Sequence, residues 1–173
     1  MTDAGAAPTP ALAIARRFAP AGTRVDEVLE LAFDQRERSR LRATLLSGEE
    51  VGIDLPVGTL LADGARLQLE DGRIVAVEAA EEALLAITAD AAPTLLRIAY
   101  HIGNRHVPIE IAADALYILP DHVLRALAER LGGRIAEVAR RFQPESGAYG
   151  HGHVHHHHDD AGHGGRIHDM SAR

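Results

Sequence analysis

The sequence predicts an α+β fold with a β-rich N-terminal domain, a smaller domain of alternating strands and helices, and a histidine-rich tail. Short apolar runs separated by turn residues fill residues 11–79, which is typical of strands. Apolar residues at helical spacing alternate with strand-like runs over residues 80–149. Residues 1–10 are small, polar and proline-containing, and residues 150–173 are rich in His and Gly, so we expect a flexible N-terminus and a disordered tail.

The composition limits the classes of function that fit this chain. Hydrophobic residues make up 46% of the 173 residues and aromatic residues only 3%, so the cores must consist of Leu, Ile, Val and Ala. A net charge of −7 argues against a nucleic-acid partner, which needs clustered Lys and Arg. The lack of cysteine excludes disulfides, thiolate zinc sites and iron–sulfur clusters. We find neither a membrane-spanning run nor a secretory signal, and we expect a cytoplasmic protein.

The N-terminal domain is predicted to be a small sandwich or barrel. Turn pairs Ser47-Gly48, Asp63-Gly64 and Asp71-Gly72 separate its apolar runs, and each Asp-Gly pair suits a tight hairpin because glycine tolerates a positive φ. The predicted strands include Leu29–Phe33, Leu41–Leu46, Val51–Leu55, Leu67–Leu69 and Ile74–Val77.

A run of alternating arginines interrupts this pattern at Arg36, Arg38, Arg40 and Arg42. Such a run is typical of a solvated strand or turn. The alternative is a docking patch for an acidic partner.

The second domain begins after the junction at residues 79–82 with an apolar strand, Ala83–Ala89. Asp90 is a suitable N-cap for the helix that follows, and Pro93 fits its first turn. Gly103-Asn104 supplies a left-handed helix stop.

A hairpin and a second helix complete this domain. Its strands are Pro108–Ile111 and Ala115–Leu119, and Asp121 caps the helix after them. Gly132-Gly133 end that helix, and Arg134–Phe142 form the last strand. The order is βαββαβ, which is the ferredoxin-like arrangement. The inner side of the second helix is predicted to hold Val123, Leu124, Leu127, Ala128 and Leu131.

The histidines outside the tail are His101, His106 and His122. His106 precedes the first strand of the hairpin and His122 follows the second, so we expect both at the same end of the sheet. His101 falls on the polar face of its helix and is predicted to be an ordinary surface histidine. For His106 and His122 the competing interpretations are an exposed histidine without a specific role and a histidine that packs locally at a helix start.

One or two imidazoles bind a metal ion only weakly, so a metal-binding role needs more than His106 and His122 of a single chain. Two-fold symmetry would place each histidine next to its own copy and could create a nitrogen-rich site. Without thiolates, imidazole ligands suit nickel, copper(II), zinc or cobalt.

The tail supplies the other eight of the eleven histidines. Only four of them are consecutive and the chain continues to Arg173, which is unlike an expression tag. We predict a chelating segment whose binding weakens below a pH of about 6.5, where imidazole is protonated. Its candidate ligands are His151, His153, His155, His156, His157 and His158, with Asp159 and Asp160 as further oxygen donors.

Several stretches together resemble the family of urease accessory nickel chaperones, UreE. They are Gly103–Pro108, Asp121–Leu124, Phe142–Tyr149, the histidine-rich tail and, in the N-terminal domain, Leu55–Gly64. The similarity extends over almost the whole chain after the first ten residues.

The resemblance implies a peptide-binding-like N-terminal domain and a ferredoxin-like metal-binding domain. It implies a homodimer in which His106 of each protomer holds Ni(II) at the interface, with His122 as a secondary metal residue and the tail as a collector of nickel. The implied partners are the urease GTPase and the urease apoprotein with its other accessory proteins. Zn(II) and Cu(II) are alternative cargo.

Two other functions compete with nickel delivery. A general metal buffer or store would need only the tail. Hydrolysis by a His-Asp pair such as Asp121-His122 is disfavoured because neighbours on a helix do not face each other, and the chain has no phosphate loop or nucleophile elbow. We therefore expect a carrier without chemical turnover.

Overall fold

The computed structural model describes residues 12–145 and places them in two β-sheets. The first is a six-stranded mixed sheet with the strand order β2-β6-β5-β1-β4-β3. A single helical turn, α1 (Phe33–Arg36), follows its second strand. The strands are β1 (Ala13–Phe18), β2 (Glu27–Leu31), β3 (Arg40–Thr44), β4 (Glu50–Asp54), β5 (Arg66–Leu69) and β6 (Ile74–Ala79).

This sheet curls until its two edges approach each other, as the barrel-like prediction requires. The amide of Leu46, just past the edge strand β3, donates to the carbonyl of Val28 in the opposite edge strand β2 at 3.0 Å. The curled sheet encloses a core of aliphatic side chains that includes Leu29, Val51 and Val77. The predicted β-rich N-terminal part of the chain is therefore confirmed.

Of the two predicted Asp-Gly hairpins, the one at Asp71-Gly72 is confirmed and the one at Asp63-Gly64 is wrong, while Ser47-Gly48 separates two strands as predicted. Gly48 joins β3 to β4 and Gly72 joins β5 to β6, both with a positive φ. Gly64 also has a positive φ, but it lies in the long connection before β5, where residues 60 and 61 form no strand. There the Asp63 carboxylate accepts a hydrogen bond from the amide of Ala79 at 2.7 Å, so this pair anchors a loop instead of closing a hairpin.

The second sheet has four antiparallel strands in the order β10-β7-β9-β8. The predicted βαββαβ order of elements is confirmed, and the helices share an apolar core with the sheet that includes Ile87, Ile98 and Leu124. No helix within residues 12–145 is long and apolar enough to cross a membrane. The elements are β7 (Glu81–Thr88), α2 (Ala92–Gly103), β8 (Glu110–Ile111), β9 (Leu116–Ile118), α3 (His122–Arg130) and β10 (Arg134–Arg141).

Two details of the helices differ from the predictions. The N-cap of α2 is Ala91, without a side-chain hydrogen bond, and the Asp90 carboxylate one residue earlier pairs with Arg134. Val123 is exposed, since Leu124 and Leu127 direct the inner face of α3 toward the core and Val123 lies beside that face.

The alternating arginines do not form one exposed patch. Arg36 is 2% exposed, and among residues 12–145 it is the one buried polar or charged residue. Arg38 pairs with Asp34 one turn away, and Arg40 pairs with Asp54 on the neighbouring strand. Carboxylates of the same chain thus pair with Arg38 and Arg40, which argues against a docking patch for an acidic partner.

Arg36 lies where the two sheets meet. Phe33, Leu84 and Phe142 form a small separate core there, with the two phenyl rings edge to face at 5.2 Å between centroids. Arg36 donates to the carbonyl of Phe142, and the amide of Phe33 donates to the Glu82 carboxylate at 2.8 Å. The N-terminal sheet is therefore joined to the point where the chain leaves the last strand.

Candidate metal centre

His106 lies on a tight turn that follows α2. The helix ends at Gly103, and the next amides, of Arg105 and His106, donate to the carbonyls of Ile102 and Gly103 at 3.0 Å each. Asn104 keeps a right-handed conformation with a φ of −67°. The predicted left-handed stop at Gly103-Asn104 is therefore wrong: the left-handed residue is His106, with a φ of 56°.

This conformation makes His106 unusual. It is the one non-glycine residue with a positive φ among residues 12–145. Histidine enters the left-handed region more readily than most residues, yet such positions are uncommon and concentrate at functional sites. The side chain is exposed, as the sequence predicted, so the turn presents its imidazole to the outside.

His122 is the first residue of α3 and is also exposed. The preceding Asp121 caps this helix, as predicted: its Oδ1 accepts from the amides of Val123 and Leu124 at 2.7 and 2.9 Å. The carboxylate is thus committed to the backbone, which argues against an Asp-His catalytic pair here.

The strand register brings the approaches to His106 and His122 to one end of the hairpin. Glu110 pairs with Tyr117 and Ile111 with Leu116. His106 lies four residues before Glu110, and His122 lies five residues after Tyr117. Both histidines therefore flank the same end of the β8–β9 ladder, although metal binding by either remains a prediction.

His101 lies near the end of α2, beside Tyr100. Its side chain is half-buried, and its ring lies 5.4 Å from the ring of Tyr100, edge to face. Its carbonyl accepts from the Arg105 guanidinium at 2.6 Å.

The described part of the chain does not gather a complete ligand set by itself. Within residues 12–145, no group of three or more His, Asp or Glu side chains could hold a metal ion. The predicted tail ligands, His151, His153 and His155 to His158, lie outside the described residues.

The last described residues run beside the segment that follows the turn of His106. The amide of Gln143 donates to the Glu110 carboxylate at 2.7 Å, and the amide of Glu145 donates to the carbonyl of Ile109 at 2.8 Å. We call residues 142–145 the strap. The sequence did not single out Glu110 or the strap amides, because their contacts join positions more than 30 residues apart.

An exposed apolar surface lies on α2, the helix that leads to this turn, and on the neighbouring strand β8. Leu96 and Tyr100, one turn apart on α2, are 70% and 68% exposed, and Ile111 of β8 is 54% exposed. Leu96 and Ile111 line one shallow cavity of about 190 Å³. Together with Ala92 and Ala99 they form what we call the α2 stripe.

Two family models match this chain. One, described as the N-terminal domain of the UreE urease accessory protein, matches residues 11–80. The other, described as the C-terminal domain of the UreE urease accessory protein, matches residues 82–169. Between them they cover most of the sequence.

Individual relatives carry the name urease accessory protein UreE. The one from Ectopseudomonas mendocina (strain ymp) is 46% identical over 165 residues, which are 94% of this chain and 99% of that protein. The one from Paraburkholderia xenovorans (strain LB400) is 51% identical over 139 residues, 80% of this chain and 62% of that protein. The chain therefore spans less than two thirds of this second relative.

Proposed function

This chain belongs to the UreE family of urease accessory proteins, and on that premise we propose that it carries Ni(II) and delivers it during urease maturation. The carrier is a homodimer in which the His106 side chains of two protomers share the metal. The domain that holds His106 has a ferredoxin-like arrangement. Its partners are the urease GTPase and the urease apoprotein with its accessory proteins, and no chemical turnover is involved.

The observation that carries this proposal is the position of His106. Its imidazole is exposed on a left-handed turn that follows α2, the helix that carries most of the α2 stripe. Large apolar residues gathered on one surface favour contact with another protein. A second copy placed on this stripe by two-fold symmetry would bring the two His106 turns together. Two imidazoles, weak ligands individually, then act on one ion.

The strap supports a contribution from the tail. Glu145 is fixed to Ile109, and His106 is three residues from Ile109, which is at most about 11 Å of chain. His151 lies six residues after Glu145, a distance of at most about 22 Å. We propose that His151 and His153 complete the coordination at His106, and that His155 to His158 collect further ions.

The donor chemistry accounts for the choice of metal class. Imidazole nitrogens suit Ni(II), Cu(II) and Zn(II). At a given site for divalent metal ions, Cu(II) generally binds more tightly than Ni(II). We propose that Zn(II) and Cu(II) compete for the same site, and that His122 provides a weaker secondary ligand. Nickel at an exposed site can be passed on, whereas a closed cage would retain it.

The test measures nickel binding by two variants at position 106. His106→Asn and His106→Gly both remove the imidazole and both tolerate a positive φ. We expect each to lose the tight site, with an affinity at least about tenfold lower, which corresponds to roughly 1.4 kcal/mol. His101→Ala is the matched control and should keep it. Calorimetric titration combined with native mass spectrometry gives affinity, stoichiometry and assembly size.

A chain truncated after Gly150 separates this proposal from a general metal buffer. A buffer would lose nearly all of its capacity with the tail, whereas a carrier keeps one site per dimer that depends on His106. Unchanged tight stoichiometry in both His106 variants would contradict the proposed function.

A further inference from the structure

The N-terminal sheet and the second sheet with its helices each have an apolar core of their own, and we call them the two halves. The core that includes Leu29 and Val77 contains only residues of the first half, and the core that includes Ile87 and Ile98 contains only residues of the second. A single residue, Ala80, links β6 to β7. Parts of a chain with separate cores normally move relative to each other unless the contact between them is large and hydrophobic.

A third, smaller core lies between the halves. Phe33 of the first half packs edge to face against Phe142 of the second, and Leu84 of β7 completes the contact. The hydrophobic effect depends on the buried area and is not directional. This small core therefore favours contact between the halves, but it does not select one angle between them.

Directional contacts come from hydrogen bonds around this small core. Arg36 donates through Nη2 to the carbonyl of Phe142, and the amide of Phe33 donates to the Glu82 carboxylate at 2.8 Å. Both bonds run from the first half to the second, and hydrogen bonds weaken steeply when their geometry is distorted. We call Phe33, Arg36, Glu82, Leu84 and Phe142 the junction.

Burial distinguishes Arg36 from a second contact between the halves. Arg141 pairs with Glu78 at 2.8 Å, but these side chains are 47% and 40% exposed, and exposed ion pairs contribute little. Arg36 is only 2% exposed. Its Nε has no partner among the described residues, and burial lowers the pKa of its guanidinium despite the nearby carboxylates of Glu82 and Asp63. Keeping such a cation buried is costly, and its hydrogen bond crosses between the halves.

We propose that Arg36 fixes the relative orientation of the two halves, and that the junction opens and closes as one unit about Ala80. While the junction is closed, a partner that binds one half also orients the other. Without the Arg36 guanidinium, each half keeps its fold because it retains its own core, but the pair samples several orientations. This inference does not depend on metal binding.

Pulsed electron paramagnetic resonance tests the orientation directly. The sequence contains no cysteine, so Val57→Cys and Glu129→Cys place spin labels at one exposed position in each half. An excess of unlabelled chain ensures that any assembly carries one labelled pair. In this background, Arg36→Met retains a long apolar side chain but has no donor for the junction. Arg38→Ala is the matched control, because Arg38 is exposed and pairs with Asp34 within the first half.

We expect one narrow distance distribution in the labelled parent and in Arg38→Ala. Arg36→Met should broaden it at least about twofold, because halves that share only a small apolar contact move relative to each other. Glu82→Ala weakens the junction from the other half and should broaden it as well. Circular dichroism checks that each variant is folded. A distribution that is already broad in the parent, or that stays narrow in both junction variants, would overturn the inference.

The amide of Phe33 gives an independent measurement. Arg36→Met leaves its acceptor, Glu82, in place, so faster hydrogen exchange of this amide reports opening of the junction and not the removal of its own partner. We expect exchange at least about tenfold faster, since the closed junction loses a buried hydrogen bond from a charged group. The amide of Ile98 in α2 is the reference and should not change. Equal exchange of the Phe33 amide in Arg36→Met and the parent would contradict the role of Arg36.

Discussion

At the scale of single residues, the two arginines at positions 36 and 38 show how burial decides what a charge does. Arg36 is buried between the sheets and bonded to a main-chain carbonyl, whereas Arg38 is 60% exposed and pairs with Asp34. The sequence presents them as members of one alternating run. Only the packing around α1 distinguishes them.

We expect Arg36→Ala to lower the free energy of unfolding by about 2–3 kcal/mol, because it leaves a buried carbonyl without a donor and opens a cavity. Arg38→Ala is the matched control, and an exposed pair one helical turn apart should contribute at most about 0.5 kcal/mol. Urea unfolding monitored by circular dichroism measures both. Equal effects in the two variants would contradict the structural role of Arg36.

His106 shows how far prediction reaches at this scale. Its exposure followed from its place after a helix, and that prediction is confirmed. Its left-handed backbone was not predicted, because Gly103 and Asn104 lie at the same turn and adopt that conformation at a lower steric cost. The amides of Arg105 and His106 each donate to the carbonyl three residues earlier, and the backbone becomes left-handed only at residue 106. A sequence pattern can locate a turn without identifying the residue at which the backbone becomes left-handed.

At the scale of elements, the caps and glycines at the ends of α3 define a short helix. Asp121 accepts two amide hydrogen bonds at the N-terminus, and Gly132 has a φ of 96° after the last turn. We expect Asp121→Ala to destabilise the domain by about 1 kcal/mol, and Asp121→Asn to cost much less because asparagine also caps well. Thermal unfolding of the two variants checks this. A loss as large in Asp121→Asn would show that charge, and not capping, is responsible.

The elements themselves were largely predictable, and the exceptions share a cause. Periodicity located both helices of the second domain and its strand order along the chain, because one face of each element must be apolar. Asp90 and Asp63 were assigned local roles, as a cap and a hairpin residue. Instead they pair with Arg134 and with the amide of Ala79, which are distant in sequence. Local signals fail where a polar side chain finds a partner in another element.

At the scale of the whole molecule, the turn of His106 connects two other features: it follows α2, which carries most of the α2 stripe, and it precedes Ile109 and Glu110, which bind the strap. The sequence analysis placed the turn, but it did not show that the turn, the stripe and the strap belong together. Arg36 and Phe142, whose contact joins the two sheets at the first residue of the strap, are 106 residues apart. Composition predicted a metal-handling protein from its histidines, but the surface that would unite two copies depends on which apolar residues the fold leaves exposed.

The proposed dimer is tested by placing a charge on that surface. We expect Leu96→Glu to raise the dimer dissociation constant at least about 100-fold, because a carboxylate would be desolvated at the centre of the contact. The tight nickel site should disappear with the dimer, while tail binding remains.

Val57→Glu is the matched control for this experiment. Val57 is 93% exposed and lies in a loop of the N-terminal sheet, so the same charge there should leave both assembly and nickel binding unchanged. Size-exclusion chromatography with light scattering, followed by nickel titration of the same fractions, measures both quantities. A monomeric Leu96→Glu protein that kept its tight site would show that one His106 suffices, and the shared site would have to be abandoned.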